Sequence, residues 1–161
     1  METQILQHPF GPLYDESSRV LILGSFPSVK SRQQNFFYGH PQNRFWRVIA
    51  AVFDKPVPDT IDEKKELILS SGLALWDSIA SCEIKGSSDA SIRNARANDI
   101  GIILDSCNIQ DIYCNGRRSH ELYMKYIEPE YGRSAVCLPS TSPANARCSL
   151  EMLIGAWSVI R

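Results

Sequence analysis

Apolar residues in this chain fall into two kinds of run. Some are short and unbroken. Arg19–Leu23 carries Val20, Leu21, Ile22 and Leu23 in succession, the pattern of a strand buried on both faces. Gly72–Trp76, Ile109–Cys114 and Ala135–Leu138 read the same way. Others are spaced. Phe45, Val48, Ile49, Val52 and Phe53 recur at helical intervals, predicting a helix that starts near Pro41 or Gln42 and stops before Pro56 and Pro58. Thr60 with Glu63 resembles a capping box for a helix to about Ser71. Further helices are expected from Asn98 to Cys107, from Asn115-Gly116 to Ile127, and over Ser149–Ile160. Residues 1–18, with Pro9, Gly11 and Pro12, read as an irregular lead-in. Residues 28–42 read as a polar and aromatic loop, and residues 81–95 as a Ser-rich loop.

Strands alternating with helices predict one α/β domain over residues 1–161, with a short, mostly parallel central sheet covered on both faces. Such sheets bind ligands beyond the carboxyl ends of their strands. Three loops leave those ends: 24–42, 115–118 and 139–146.

Charge sharpens this picture. The 161 residues hold 17 Lys and Arg against 18 Asp and Glu, a net charge of −1. The layout is uneven. From Ser17 to Phe53 there is no acid, yet Arg19, Lys30, Arg32, Arg44 and Arg47 lie there, while Asp54, Asp59, Asp62, Glu63 and Glu66 crowd one short stretch. The three loops are acid-free, so a basic edge is expected on a near-neutral protein. Phosphate contacts need a local patch, not a high overall charge. The five cysteines, at 82, 107, 114, 137 and 148, include no C-x-x-C pair. That argues against a metal site, an iron–sulfur cluster or a disulfide framework. No run approaches the about 18 apolar residues of a membrane span, and no secretion leader is evident. A cytoplasmic monomer without cofactor is expected.

Three segments carry candidate chemistry. Gly24-Ser25-Phe26-Pro27-Ser28 follows the first strand; it lacks the glycine spacing of a phosphate loop and the G-x-S-x-G of a nucleophile elbow. Alone, it reads as a strand-to-loop turn. Phe36-Phe37-Tyr38-Gly39-His40-Pro41-Gln42-Asn43-Arg44-Phe45-Trp46 places three consecutive aromatics in a loop. They either tuck under the core or stack on a planar ligand, and a stacked base gains about 1–3 kcal/mol. Asn43 caps the helix or holds a water or a base edge. Pro139-Ser140-Thr141-Ser142-Pro143-Ala144-Asn145-Ala146-Arg147 is a stiff loop of small residues after a strand. It reads as a helix entry or as a close approach to phosphates.

Together the segments resemble the uracil-DNA glycosylase superfamily. GSFPS, FYGHPQNRFW and LPSTSPAN look most like its hypoxanthine-DNA (deoxyinosine) glycosylase branch, from Val20 to the terminal helix. The resemblance implies a three-layer α/β/α sandwich and a flipped nucleotide held at the strand ends. It implies a base pocket formed by Gly24, Ser25, Phe26, Pro27, Phe37, Tyr38 and His40, with Tyr38 stacking on the base. It implies Asn43 as the catalytic residue that positions the hydrolytic water. It places Pro139, Ser140, Thr141, Ser142, Pro143, Asn145 and Arg147 in the DNA minor groove. Mismatch-specific relatives carry Asn where this chain has Phe26, and many uracil-specific relatives carry a His that the third segment lacks. Both departures argue against efficient uracil excision.

The expected activity is therefore monofunctional removal of a deaminated base from DNA, hypoxanthine ahead of uracil. Uracil, xanthine or mismatch excision is the same-class alternative. A non-catalytic nucleic-acid-binding protein and a nucleotide hydrolase are the other readings; the second lacks a phosphate loop and clustered carboxylates for Mg²⁺. Ser87, Ser88, Asp89, Arg93 and Asn94 either cap a helix or touch the DNA backbone.

Overall fold

Val20–Gly24 is buried along its whole length, and the rest of the molecule is arranged around it. The computed structural model describes residues 2–161. In chain order the elements are β1 (Thr3–Gln7), β2 (Val20–Gly24), α1 (Val29–Gln34), α2 (Phe45–Val52), α3 (Ile61–Ser70), β3 (Leu73–Asp77) and β4 (Ile79–Lys85). A 3-10 turn at Asp89–Ser91 precedes β5 (Arg93–Ala97). Then come α4 (Gly101–Leu104), β6 (Asp111–Asn115), α5 (Arg117–Tyr126), α6 (Glu128–Tyr131), β7 (Val136–Leu138) and α7 (Leu150–Trp157), with a final 3-10 turn at Ser158–Ile160.

Four strands form a parallel sheet in the order β3-β2-β6-β7. The predicted α/β/α sandwich is the fold of the chain. Leu21, Ile22, Leu23, Leu73, Leu75 and Cys114 are fully buried, because helices cover both faces of a parallel sheet. Phe45, Ile49, Leu153 and Trp157 bring α2 and α7 into the same core. Ser119 of α5 donates its hydroxyl to the Leu23 carbonyl at 2.8 Å.

The sequence reading missed a second, antiparallel sheet, β1-β4-β5. Residues 3–7 of the supposed lead-in pair with β4 from Thr3↔Lys85 to Gln7↔Ser81. The supposed Ser-rich loop is the β4–β5 hairpin. The short turn at Ser78 carries the chain from one sheet to the other, and Asn98 holds it by donating to the carbonyls of Asp77 (2.8 Å) and Ile79 (3.2 Å). Phe26, Ile79, Cys82, Ile84, Ile92 and Leu122 form a satellite core between this sheet and α5. β1 and β5 were illegible because their residues are mostly exposed or polar and show no clean alternation.

Other boundaries also move. The 28–42 loop contains α1, capped by Ser28, whose side chain accepts the Ser31 N–H. Helix α2 starts at Phe45, not at Pro41 or Gln42, because residues 39–44 turn to meet the 139–146 loop. The helix expected over 98–107 shortens to α4, with Asp99 accepting the Gly101 N–H. Thr60 caps α3 as predicted, accepting the Glu63 N–H at 3.1 Å. Among the described residues no helix is long and apolar enough to cross a membrane.

Ile22→Ala should lower the free energy of unfolding by about 2–5 kcal/mol, since it opens a cavity in the centre of the sheet. Ile5→Ala, at a position 81% exposed, should change it by less than about 0.5 kcal/mol. Urea denaturation of both variants beside the parent chain checks the contrast.

Candidate active site

The carboxyl ends of the parallel strands open into a cavity of about 340 Å³, within the range of roughly 300–1,000 Å³ of small-molecule sites. Its walls come from Gly24–Ser28 after β2, from Phe37, Tyr38, His40 and Asn43, from Asp77 at the end of β3, from Asn115 at the end of β6, and from Ser140–Ala144 after β7. Ser87 and Asp89 of the β4–β5 hairpin complete it.

Gly24 is glycine for a steric reason. A Cβ there would overlap the Asp77 carboxylate and lie 3.3 Å from the Tyr38 hydroxyl. Asp77 can therefore lie flat against the end of β2. Its Oδ2 is 2.7 Å from His8 Nε2, with the two side chains only 4% and 6% exposed. His8 Nδ1 accepts the Phe10 N–H at 3.4 Å. The ring proton thus sits on Nε2 and is donated to Asp77, an assignment made from its neighbours.

Asn43 is the centre of a hydrogen-bond chain. Its Oδ1 accepts the Phe45 N–H at 2.9 Å and the Thr141 hydroxyl at 2.8 Å. Thr141 in turn accepts from Asn115 Nδ2 and donates its backbone N–H to Asn115 Oδ1, each at 3.0 Å. The backbone donor of Phe45 fixes which end of the Asn43 amide is oxygen. The NH₂ group is left free to donate.

Arg44 joins the same two segments. Its backbone N–H donates to the Thr141 carbonyl at 3.1 Å. Its guanidinium donates to the carbonyls of Ser142 (3.2 Å), Asn145 (2.9 Å) and Cys148. Charge layout suggested Arg44 as part of the basic edge. In the fold it braces the loop from inside, a role only tertiary contacts reveal.

The aromatics divide as follows. Phe37 is 3% exposed and packs edge-on against Phe10. Tyr38 is half-buried in a left-handed backbone conformation (φ 51°) and stacks on Phe45 at 3.9 Å. The Trp46 indole donates to its carbonyl at 3.2 Å. Among the described residues the buried Tyr38 hydroxyl makes no hydrogen bond of ordinary length, with the Asn115 side chain nearby as a polar neighbour. Burial first, and then the charge of Asp77, hold this phenol far above its ordinary pKa. The Phe26 side chain belongs to the satellite core, beneath the Arg32 guanidinium. His40 Nδ1 accepts the Gln42 N–H at 3.1 Å.

Of the 139–147 segment, Ser140–Ala144 reaches the cavity, whereas Pro139, Asn145 and Arg147 do not line it. The Pro139 carbonyl accepts the Trp157 indole N–H at 2.9 Å. Asn145 donates to the Ser140 carbonyl at 3.0 Å. Arg147 is exposed. The expected acid-free edge needs correction. The three loops do converge, but Asp77 and Asp89 enter the cavity from other elements. Ser31, Asp77 and Asn115 are lining residues that the sequence reading did not name as site residues, while Ser87 and Asp89, read there as helix caps or DNA-backbone contacts, line the cavity as well. Asp77 and Asn115 were findable, since each ends a recognisable strand; Asp89 arrives on the unforeseen hairpin. Ser25 donates its hydroxyl to Asp89 Oδ1 at 2.7 Å.

Fold and cavity define an α/β domain with a ligand site at the carboxyl ends of a parallel sheet. The Uracil DNA glycosylase superfamily profile matches residues 12–160, and the chain belongs to that superfamily; its enzyme class is DNA glycosylase. It is 30% identical over 151 residues to a Hypoxanthine DNA glycosylase of Methanosarcina barkeri, covering 92% of this chain and 94% of that one. It is 31% identical over 147 residues to a Hypoxanthine DNA glycosylase of Methanosarcina acetivorans, covering 90% and 92%. A solution NMR structure of a candidate uracil DNA glycosylase from Methanosarcina acetivorans superposes with a TM-score of 0.80 at 27% identity, covering 98% of this chain and 99% of that one.

Thr141→Val removes the hydroxyl that holds Asn43 and leaves Asn115 Nδ2 without its acceptor. It should lower stability by about 1–3 kcal/mol and slow base excision by about ten- to a hundredfold. Chemical denaturation and single-turnover excision on the same preparation test both effects.

Proposed function

We propose that the chain is a monofunctional DNA glycosylase that hydrolyses the N-glycosidic bond of a flipped deaminated base, with hypoxanthine the preferred one. The observation that carries this reading is the fixed carboxamide of Asn43 on the wall of a base-sized cavity. Two relatives named Hypoxanthine DNA glycosylase, each matched over nine-tenths or more of its length, support the choice of base.

The chemistry follows from the geometry. The C1′–N9 bond breaks with its electron pair leaving on the purine, and the sugar becomes oxocarbenium-like. Water attacks C1′ and releases a proton to solvent, which balances the negative charge that the purine takes with it. Asn43 has no useful pKa and does not remove that proton. Its oxygen is already engaged by Phe45 and Thr141, so it holds the water by donating from its NH₂. One lone pair of the water then accepts from Asn43 while another faces C1′. Positioning of this kind contributes much of a barrier reduction when the acceptor geometry is fixed in advance. Tyr38 offers the base an aromatic ring already immobilised on Phe45. Backbone N–H groups at Ser25 and Phe26 meet the electron density developing on the base. Among the described residues no lysine lines the cavity, so none of them places an amine to form a Schiff base with C1′. Exposed Lys30, Arg117 and Arg147 flank the loops and would meet phosphates.

Asn43→Ala should lower single-turnover excision of hypoxanthine by about a hundredfold or more while duplex binding stays within a few-fold. The assay uses labelled oligonucleotides carrying hypoxanthine, uracil, xanthine or a G·T mismatch, single- and double-stranded, with alkali cleavage as readout. Excision that survives the substitution would remove Asn43 from its role. Tight duplex binding without excision of any base by the parent chain would remove the enzyme reading itself.

A further inference from the structure

A carboxyl group on the wall of a cavity that takes a base, in a protein that binds a polyanion, calls for a chemical reason. Asp89 is such a group. It arrives on the 3-10 turn between β4 and β5, and three contacts hold the turn in place. Arg118 of α5 donates to the backbone carbonyls of Asp89 (3.3 Å) and Ile92 (3.2 Å). The Ser25 hydroxyl donates to Asp89 Oδ1 at 2.7 Å. The Ser87 hydroxyl of the same hairpin accepts the Val29 N–H at 2.9 Å. Asp89 Oδ2 makes no hydrogen bond, and among the described residues no ion pair holds this carboxyl. By accessible surface Asp89 is an exposed residue, and it lines the cavity, so a substrate can reach it.

We propose that the Asp89 carboxyl is a further catalytic group, which hydrogen-bonds and protonates N7 of the departing purine. The proposal rests on the reading of this cavity as a site of purine excision. Hypoxanthine presents acceptors at O6 and N7, and a purine leaves more readily once N7 carries a proton. With Oδ1 taken by Ser25, Oδ2 is the oxygen that carries the proton. As the C1′–N9 bond breaks, its electron pair goes to the base. The Asp89 proton goes to N7, so hypoxanthine departs neutral and Asp89 is left as carboxylate. The proton released by the attacking water restores the acid. No further reactant is needed.

The surroundings of the two cavity carboxyls fit a division of labour. Asp77 Oδ2 accepts from His8 Nε2 at 2.7 Å. Asp89 has no such donor, and crowding by protein raises its pKa above the usual value. The Ser25 hydrogen bond pulls it back, the charge of Asp77 raises it, and Arg118 lowers it. Tyr38 and His40 across the cavity, Cys82 of β4, Arg32 of α1, which donates to the Gly86 carbonyl, and Arg93 of β5, which donates to the Ala90 carbonyl, are further titratable or charged groups near this hairpin. A carboxyl whose surroundings disfavour its charged form is suited to give a proton to a substrate.

The test combines pH, substitution and a base analogue. For the parent chain, the single-turnover rate on hypoxanthine should be flat at low pH. Above the Asp89 titration it should fall about tenfold per pH unit, as the acid form is lost. Asp89→Asn keeps a donor but cannot give up a proton. It should lose about a hundredfold in rate, bind the duplex within threefold of the parent, and lose the pH slope. Free hypoxanthine should inhibit the parent chain better than 7-deazahypoxanthine, which lacks the N7 acceptor, and Asp89→Ala should abolish that preference. Excision within threefold of the parent by Asp89→Asn, or an unchanged pH slope, would overturn the proposal. Equal inhibition of the parent chain by the two bases would also overturn it, and that arm needs no variant to fold. Absence of hypoxanthine excision by the parent chain would instead overturn the function on which the proposal rests.

Discussion

Backbone carbonyls of the loop after β7 need donors, and Arg44 supplies them from the entrance of α2. One guanidinium meets Ser142, Asn145 and Cys148, across about a hundred positions of sequence. The same junction carries the Thr141 hydroxyl to Asn43 and the Arg44 backbone N–H to Thr141. The cavity depends on this bracket. Without it the third segment would be an untethered loop, and the Asn43 amide could rotate. Orientation of the candidate water-holding group is therefore a property of the tertiary junction.

The second constraint is electrostatic. A cavity at the carboxyl ends of parallel strands is expected to favour anionic ligands, yet this one admits two carboxyls. Asp77 is tolerated because Gly24 leaves room beside it and His8 donates to it. Asp89 is tolerated because Ser25 donates to it and because its charged form is disfavoured. The antiparallel sheet supplies both neighbours: β1 leads to His8, and the β4–β5 hairpin carries Asp89. A sheet that looks peripheral to the fold furnishes both the partner of one cavity acid and the whole of the other.

Aromatic packing sets the remaining wall. Tyr38 adopts a strained left-handed conformation, and its neighbours hold it there: Phe45 stacks beneath the ring and Trp46 bonds its carbonyl. Such conformations persist only where the surroundings over-determine them. Phe36 is spent on packing against Trp46, while Phe37 packs edge-on against Phe10 and also lines the cavity. Three aromatics in a row therefore divide between core and cavity.

The sequence by itself determined the parallel sheet and the three segments that meet at its carboxyl edge. Val20–Leu23 is legible because a strand buried on both faces must be apolar throughout. In 109–114, Ile112, Tyr113 and Cys114 of β6 are buried as expected. Ala135–Leu138 holds the edge strand β7, whose Val136 and Cys137 are exposed rather than covered. The α2 stripe and the Thr60 cap are legible because helical period and capping are local. Tertiary structure alone decided the rest. β5, with Arg93, Asn94 and Arg96 among its five residues, has no local reason to be a strand; its partner β4 makes it one. Likewise, nothing near Asp89 in sequence says that it faces Ser25, or near His8 that it faces Asp77. Those contacts join residues 64 and 69 positions apart. Hydrophobic period is a short-range property of the chain, whereas the pairing of polar groups is set by where the folded backbone brings them.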